Sequence, residues 1–191
     1  ARPFVRQSLR RLTKNMLTVA DIQAQMTLAL KKLLDTTTDG YSFSGLDKLD
    51  SSKAYLFMSN HRDISLDPAL VCLGLVMAEH QTARLAIGDN LLSKPFASDL
   101  MRVNRSFIVK RSASSRREKL EALKVLSRYI RYSINTERVS VWIAQAEGRA
   151  KDGWDRTETA LLKMLSLSKG ERQDFAAATG ELNLIPVSIS Y

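Results

Sequence analysis

The sequence contains a single cysteine, Cys72, and only two histidines among its 191 residues. One cysteine excludes an intramolecular disulfide and a cysteine-based zinc cluster, and it suits a reducing compartment. With eight glycines and four prolines, the chain is neither collagen-like nor of low complexity. It carries no signal-peptide pattern and no run approaching the ~20 consecutive apolar residues that span a bilayer. The sequence therefore predicts no transmembrane anchor.

Length and composition indicate a globular protein. A chain of 191 residues corresponds to one domain with a short appendage. Hydrophobic residues make up 45% and charged residues 26% of the sequence, which are ordinary proportions for a soluble domain and argue against disorder. The sequence starts without methionine and ends at Tyr191 within a predicted strand, so we expect the chain to continue beyond residue 191.

Positive charge is concentrated in two segments. The net charge is +9, from 29 basic and 20 acidic residues. Residues 1–34 hold seven Lys and Arg against one acidic residue, and residues 102–131 hold ten against two. The rest of the chain is therefore net acidic. Two local basic stretches predict contact with anions, which from composition alone are phosphate esters, anionic lipid headgroups or nucleic acid.

From Tyr41 onward, short apolar runs alternate with helical patterns, which predicts an α/β domain over residues 41–191. We expect a mixed central sheet flanked by helices. The predicted strands are 54–58, 84–87, 106–109, 139–146 and 184–189. The predicted helices are 68–78, 90–101, 115–134, 157–167 and 171–178.

Residues 1–40 form a separate basic segment with a predicted amphipathic helix over residues 16–34. Apolar residues recur there at three- and four-residue spacings, and the cations Arg2, Arg6, Arg10, Arg11 and Lys14 precede them. Two interpretations stay open. The segment is either an ordinary helix with solvated cations or a surface that docks on anionic lipid.

His61 is the candidate for catalysis. It follows a predicted strand, and Asp63 and Asp67 lie close to it in the sequence. A carboxylate beside a histidine fixes the ring tautomer and leaves the other ring nitrogen free to accept a proton, which is what general-base catalysis needs. The same residues also fit an ordinary turn whose carboxylates cap the next helix. His80 follows a helical pattern and is expected to be a solvated helix-end residue.

Polar residues also follow the other predicted strands. Lys110 and Arg111 follow one strand, and Glu147, Gly148 and Arg149 follow the next. Because ligands of open α/β sheets bind at the carboxyl ends of the strands, these residues and His61 are expected to meet in one cleft. Each group taken alone also fits an ordinary surface loop.

Four blocks in this order resemble the glycerolipid acyltransferases, which include the glycerol-3-phosphate and lysophosphatidic acid acyltransferases. The blocks are Asn60-His61 with Asp67-Pro68, Phe107 to Arg111, Glu147-Gly148-Arg149, and Ile185-Pro186-Val187. The resemblance covers about residues 41–191.

Two departures from the family pattern stand out. His61 and Asp67 are separated by five residues instead of four, so either a bulge absorbs one residue or Asp63 takes the partner's role. We assign Asp67, which we expect to be the N-cap of helix 68–78 with Pro68 at its first position, and we treat Asp63 as a turn or surface residue. In the third block Arg149 follows Gly148 directly, and the family's usual serine is missing.

The resemblance implies transfer of an acyl group from acyl-CoA or acyl-carrier protein to a hydroxyl of a glycerol phosphate or lysophospholipid. His61 would be the general base oriented by Asp67, and Arg111, with Lys110 and Arg149, would hold the acceptor phosphate. Glu147 and Gly148 would shape the acceptor site, and Pro186 would pack beside that site or beside the acyl chain. The chemistry needs no metal or other cofactor.

The implied location is peripheral, on the cytoplasmic face of the cytoplasmic membrane, with an anionic membrane surface as a partner. The alternatives are a non-catalytic basic module that binds membrane or nucleic acid, and an acyltransferase fold that has lost its activity. Nucleic acid is the less favoured partner because no recognised nucleic-acid signature is present.

Overall fold

The computed structural model describes residues 7, 14, 16–90 and 95–191. The chain divides into two compact units, Ala1–Ser42 and Phe43–Tyr191, and the predicted boundary at residues 40 and 41 lies two residues before this division. Within the described residues, no helix has both the length and the apolar character needed to cross a membrane.

The first unit contains helix α1, Val19–Thr37. The helix begins with a capping box, in which the Thr18 side chain accepts from the Asp21 backbone N–H while Asp21 accepts from the Thr18 backbone N–H. Several of its apolar side chains are exposed, Leu28 at 61% and Leu33 at 50%. Arg2, Arg6, Arg10 and Arg11 lie outside the described residues.

The second unit alternates strands and helices, as the sequence predicts. After a short 3-10 helix at Leu46–Lys48, the strands are β1 Leu56–Ser59, β2 Arg84–Gly88, β3 Phe107–Val109, β4 Val141–Ala144 and β5 Leu184–Val187. The helices are α2 Leu66–Met77, α3 Pro95–Val103, α4 Arg116–Asn135, α5 Thr159–Leu165 and α6 Phe175–Gly180. The predicted helix 90–101 corresponds to α3, and residues 91–94 lie outside the description.

The strands form one five-stranded sheet in the order β3-β2-β4-β1-β5. The α/β fold with flanking helices is confirmed. The expectation of a mixed sheet needs one correction, because all four strand pairs in the described chain are parallel. Every connection between successive strands contains at least one helix, and such crossovers return the chain in the same direction.

Alternating residues of the central strands fill the two faces of the sheet. Leu56 and Met58 pack with Val141 and Ile143 against helices α4 and α5. Their neighbours Phe57 and Trp142 pack on the other face with Leu75 of α2. Because successive side chains of a strand point to opposite faces, β1 and β4 are buried on both sides, and their carboxyl ends are held rigidly between the helix layers.

Candidate active site

The parallel sheet brings the predicted polar blocks to one edge. The segments after β1, β3, β4 and β5 all leave the sheet at its carboxyl edge. Strand β1 lies between the central strand β4 and the edge strand β5, so His61 lies between the segments that follow these two strands. This is where ligands bind in open α/β sheets.

His61 and Asp67 are in direct contact. The Nδ1 atom of His61 lies 2.8 Å from the Oδ2 atom of Asp67, whose side chain is fully buried. The carboxylate can only accept, so the bond puts the ring proton on Nδ1 and leaves Nε2 as the basic nitrogen. The His61 ring also meets Trp142 edge to face, with ring centroids 5.9 Å apart. This is the orientation that a general base requires.

Asp63 lies in the turn before helix α2, and the sequence analysis treats it as a turn or surface residue. Its Oδ1 atom accepts from the backbone N–H groups of Ser65 and Leu66, at 2.8 and 2.7 Å. Both hydrogen bonds lower the pKa of the Asp63 carboxyl, and the one from the Leu66 N–H has the larger effect.

The prediction that Asp67 is the N-cap is therefore wrong. Helix α2 begins at Leu66, and Ser65 holds the N-cap position, so the helix starts two residues earlier than expected. The capping carboxylate is that of Asp63. Pro68 is tolerated as the third helical residue because the first-turn N–H groups have no partner within the helix. Asp67 is consequently free to bind His61.

The backbone before His61 is fixed by side chains at the end of β1. The Ser59 hydroxyl donates to the Asn60 carbonyl at 2.7 Å and accepts from the indole of Trp142 at 3.0 Å. The Asn60 amide bonds both the N–H and the carbonyl of Ile189, each at 2.8 Å. These groups are buried, so each bond is costly to lose.

The loop after β4 closes against the His61 segment. The Ala150 N–H donates to the His61 carbonyl at 2.7 Å. The Asp155 carboxylate accepts from the Arg62 guanidinium at 2.8 Å and from the Asn60 amide at 3.1 Å. Asp155 therefore ties this loop to both residues that flank His61.

We expect Asp155→Ala to lower kcat about 10-fold, because misplacing a catalytic group by a fraction of an ångström is already costly. Lost hydrogen bonds of about 1 kcal/mol would also lower the Tm by about 2–4 °C. Asp152→Ala is the matched control in the same loop, since Asp152 bonds only the nearby Trp154 N–H in the described structure. Steady-state kinetics and thermal melts check this prediction, and equal kcat values for the two variants would contradict it.

Arg111 lies over the end of β2. Its Nε atom is 3.6 Å from a carboxylate oxygen of Glu147, and a Cβ atom built on Gly88 would lie 3.0 Å from that Nε. The segment is held by Asp89, whose carboxylate accepts the Arg111 and Ser112 N–H groups at 3.2 and 3.1 Å. Hydrogen bonds from Ser112 lower the pKa of the Asp89 carboxyl most, and the hydrogen bond from the Arg111 N–H lowers it further. The guanidinium thus reaches inward from β3 toward β4.

The structure does not group Lys110 with Arg111. Lys110 lines a groove of about 500 Å³ between β3 and α4, together with Glu118, Ile108 and Val125. Alternation along the extended chain explains the separation, because adjacent residues point to opposite sides. The predicted helper role of Lys110 at the acceptor phosphate therefore has no geometric support.

The remaining predicted residues lie around the same edge. Glu147, Gly148 and Arg149 are exposed, and Gly148 has a φ of 80°, a conformation that side chains disfavour. The pKa of Asp63 is lowered mainly by its backbone hydrogen bonds and to a smaller extent by the positive charge of Arg149. Arg149 therefore lies close enough to the His61 segment to affect its electrostatics. Pro186 is exposed on the edge strand β5, in register with Met58.

Of the two tyrosines of helix α4, Tyr129 packs within the fold and Tyr132 is exposed. The Tyr129 ring packs on Phe107 at a centroid distance of 4.8 Å, and the Arg84 guanidinium lies 5.6 Å from the centre of the same ring. A ring packed in this way is not free to stack on a nucleic-acid base. The packing of Tyr129 therefore gives no support to the nucleic-acid alternative.

Three further residues at the carboxyl edge of the sheet were not predicted from the sequence as site residues: Gly88, Asp155 and Tyr191. Gly88 and Tyr191 lie at or beyond the carboxyl ends of predicted strands, a position that is itself a usable signal. Asp155 lies in the middle of a loop and carries no such signal. In the described part of the chain, no group of three or more His, Cys, Asp and Glu side chains is arranged to hold a metal ion.

A family model described as Acyltransferase matches residues 41–190, and the chain belongs to this family, the glycerolipid acyltransferase family. The resemblance drawn from the four blocks is thus confirmed. No curated protein and no solved structure matches the chain significantly.

Proposed function

We propose that this acyltransferase moves a fatty acyl group from an acyl thioester, carried by CoA or acyl-carrier protein, to a hydroxyl of a glycerol phosphate or a lysophospholipid. The His61–Asp67 pair is the observation that carries the proposal. Its 2.8 Å bond lies at the carboxyl edge of the sheet and uses only one ring nitrogen. The family match supports acyl transfer as the reaction class.

The reaction follows from this geometry. Nε2 of His61 removes the proton from the acceptor hydroxyl while that oxygen attacks the thioester carbonyl. Asp67 stabilises the imidazolium that forms. When the tetrahedral intermediate collapses, the carbon–sulfur bond breaks and the imidazolium returns its proton to the departing sulfur. Because a thiol has a pKa of about 8.5, the thiolate leaves easily and no separate strong acid is required.

Arg111 is proposed to hold the acceptor phosphate. Its present partner Glu147 is 3.6 Å away and the Glu147 side chain is 66% exposed, so this ion pair is weak. A phosphate offers the guanidinium two parallel hydrogen bonds and a larger charge. The acceptor can therefore displace Glu147 from Arg111 when it binds.

The proposed activity is tested by thiol release. The protein is mixed with an acyl-CoA, or with an acyl-carrier protein, and free thiol is measured before and after addition of glycerol 3-phosphate or a lysophospholipid. We expect thiol release that depends on the acceptor, and mass spectrometry of the products identifies the acceptor used. Salt-sensitive binding of a nucleic-acid duplex without turnover would instead support a binding module.

We also propose that the protein works on the cytoplasmic face of the membrane that holds its lipid substrate. Helix α1 exposes Leu28 and Leu33, and residues 1–34 carry a surplus of positive charge. Each Lys or Arg near an anionic surface contributes about 1 kcal/mol, and buried apolar side chains add to this attraction.

The protein is therefore expected to sediment with anionic vesicles more than with neutral ones, and salt should reduce the bound fraction. Leu28→Ser should weaken binding to vesicles, while Gln25→Ser on the same helix should leave it unchanged. Equal sedimentation with neutral and anionic vesicles at low salt would show that the electrostatic account is wrong.

A further inference from the structure

The Asp67 carboxylate is fully buried, and each of its oxygens has its own partners. Oδ2 accepts from His61 Nδ1 at 2.8 Å and from the backbone N–H groups of Arg62 and Asp63 at 2.6 and 3.0 Å. Oδ1 accepts from the phenolic O–H of Tyr191 at 2.5 Å. In the described structure, that phenol is the one side-chain donor to Oδ1.

The Tyr191 hydroxyl is the donor in this contact. Partial burial of the phenol, then its hydrogen bond to Asp67 and the charges of Asp67 and Asp63, raise the pKa of Tyr191 above its ordinary value. The phenol therefore stays protonated throughout the neutral range. A distance of 2.5 Å is typical of a charge-assisted bond from a hydroxyl to a carboxylate.

The chain that carries Tyr191 is fixed just before it. The backbone N–H and carbonyl of Ile189, two residues earlier, are both bonded by the Asn60 side chain at 2.8 Å. Asn60 directly precedes His61. The segment after β5 thus makes two contacts around His61: Ile189 is bonded to Asn60, and Tyr191 is bonded to Asp67.

We propose that Tyr191 is a positioning residue for the His61–Asp67 pair, holding one carboxylate oxygen so that the other stays aimed at His61 Nδ1. The inference rests on the proposed function for its kinetic consequences, but the bond itself is independent of any substrate. Without the phenol, Oδ1 is a buried charged oxygen that has lost its side-chain donor, and the carboxylate is freer to rotate. It also becomes a stronger acceptor toward His61, which favours the imidazolium.

The other charged groups around the pair have contacts of their own that do not involve the Tyr191 phenol. Arg62 is bound to Asp155 at 2.8 Å, Asp63 caps α2, and Arg149 acts on Asp63. A change caused by removal of the Tyr191 hydroxyl can therefore be assigned to Asp67.

The first test compares Tyr191→Phe with Tyr132→Phe, which removes a hydroxyl from an exposed tyrosine on α4. We expect Tyr191→Phe to lower kcat about 10- to 100-fold while leaving the acceptor KM nearly unchanged. The acidic limb of the kcat/KM profile should move to higher pH, because the base must be neutral and the imidazolium is now favoured. Tyr132→Phe should change none of these quantities.

The second test needs no turnover. In a His80→Gln background, His61 is the one remaining histidine, and the proton on its Nδ1 is followed by NMR. We expect Tyr191→Phe to shift or broaden this resonance and Tyr132→Phe to leave it unchanged, while the amide spectrum reports whether the fold persists. A folded Tyr191→Phe protein with an unaltered resonance and pH profile would overturn the positioning role. An altered resonance in a protein without acyl transfer would instead reject the proposed function and keep the positioning role.

Discussion

Asp67→Asn is expected to lower kcat by about 10⁴-fold, whereas Asp63→Asn should lower it far less. In Asp67→Asn an amide replaces the acceptor that holds His61 Nδ1 at 2.8 Å, so the ring is no longer kept in the tautomer with a basic Nε2. The corresponding change in a serine protease costs on the order of 10⁴ in rate. Asn at position 63 retains a side-chain oxygen that can still accept the Ser65 and Leu66 N–H groups.

The two Asn variants form a matched pair, because they change the same atoms four residues apart. His61→Ala should abolish turnover with the fold intact, and it sets the background rate. Single-turnover measurements with a fixed acyl donor separate the chemical step from product release. An inactive Asp63→Asn beside a nearly normal Asp67→Asn would reverse the assignment of the carboxylate. If His61→Ala and Asp67→Asn both retained acyl-transfer activity, the proposed mechanism would be ruled out.

The contrast between Asp67 and Asp63 shows what the sequence could and could not predict. The strands and helices followed from apolar periodicity, and the choice of Asp67 as partner of His61 rested on the resemblance of Asp67-Pro68 to the first block of the family and on an expected N-cap position. The capping assignment failed because two carboxylates at positions 63 and 67 compete for one helix start, and only the three-dimensional turn decides between them. Asp63 reaches the Ser65 and Leu66 N–H groups, which leaves Asp67 buried beside the histidine.

Contacts between segments that are far apart in the chain could not be predicted from the sequence, for a different reason. The Asn60–Ile189 and Tyr191–Asp67 bonds join residues more than 120 positions apart, and they exist because β5 lies beside β1 in the sheet. The strand order was not predicted. Lys110 and Arg111 are adjacent in sequence, yet Lys110 lines the groove beside α4 while Arg111 lies near Gly88 and Glu147, so a part for Lys110 in the phosphate site stays a prediction.

Arg111→Ala should raise the KM for a phosphate-bearing acceptor by about 10- to 150-fold, which corresponds to the ~1.5–3 kcal/mol of a hydrogen bond to a charged group. Hydrolysis of the acyl donor by water should change little, because the substitution removes no group from the His61–Asp67 pair. Lys110→Ala is the matched control: it removes the same charge from the neighbouring residue, which lines the α4 groove. We expect its acceptor KM to stay close to that of the unmodified protein.

Gly88→Val tests the position of Arg111 without removing its charge. A Cβ at residue 88 would lie 3.0 Å from Nε and 3.1 Å from Cζ of Arg111, and 2.4 Å from the Asn90 side-chain oxygen. The larger valine side chain must therefore displace the guanidinium from the end of β2, and we expect the acceptor KM to rise in the same direction as in Arg111→Ala. In Arg111→Ala the added side chain meets no guanidinium, so the part of the KM effect that acts through Arg111 should be absent in that background, while the contact with the Asn90 oxygen remains in both. A Gly88→Val effect on the acceptor KM that is equally large with and without the Arg111 side chain, or an unchanged acceptor KM in Arg111→Ala, would place the phosphate site away from Arg111, with Lys110 or Arg149 as the next candidates.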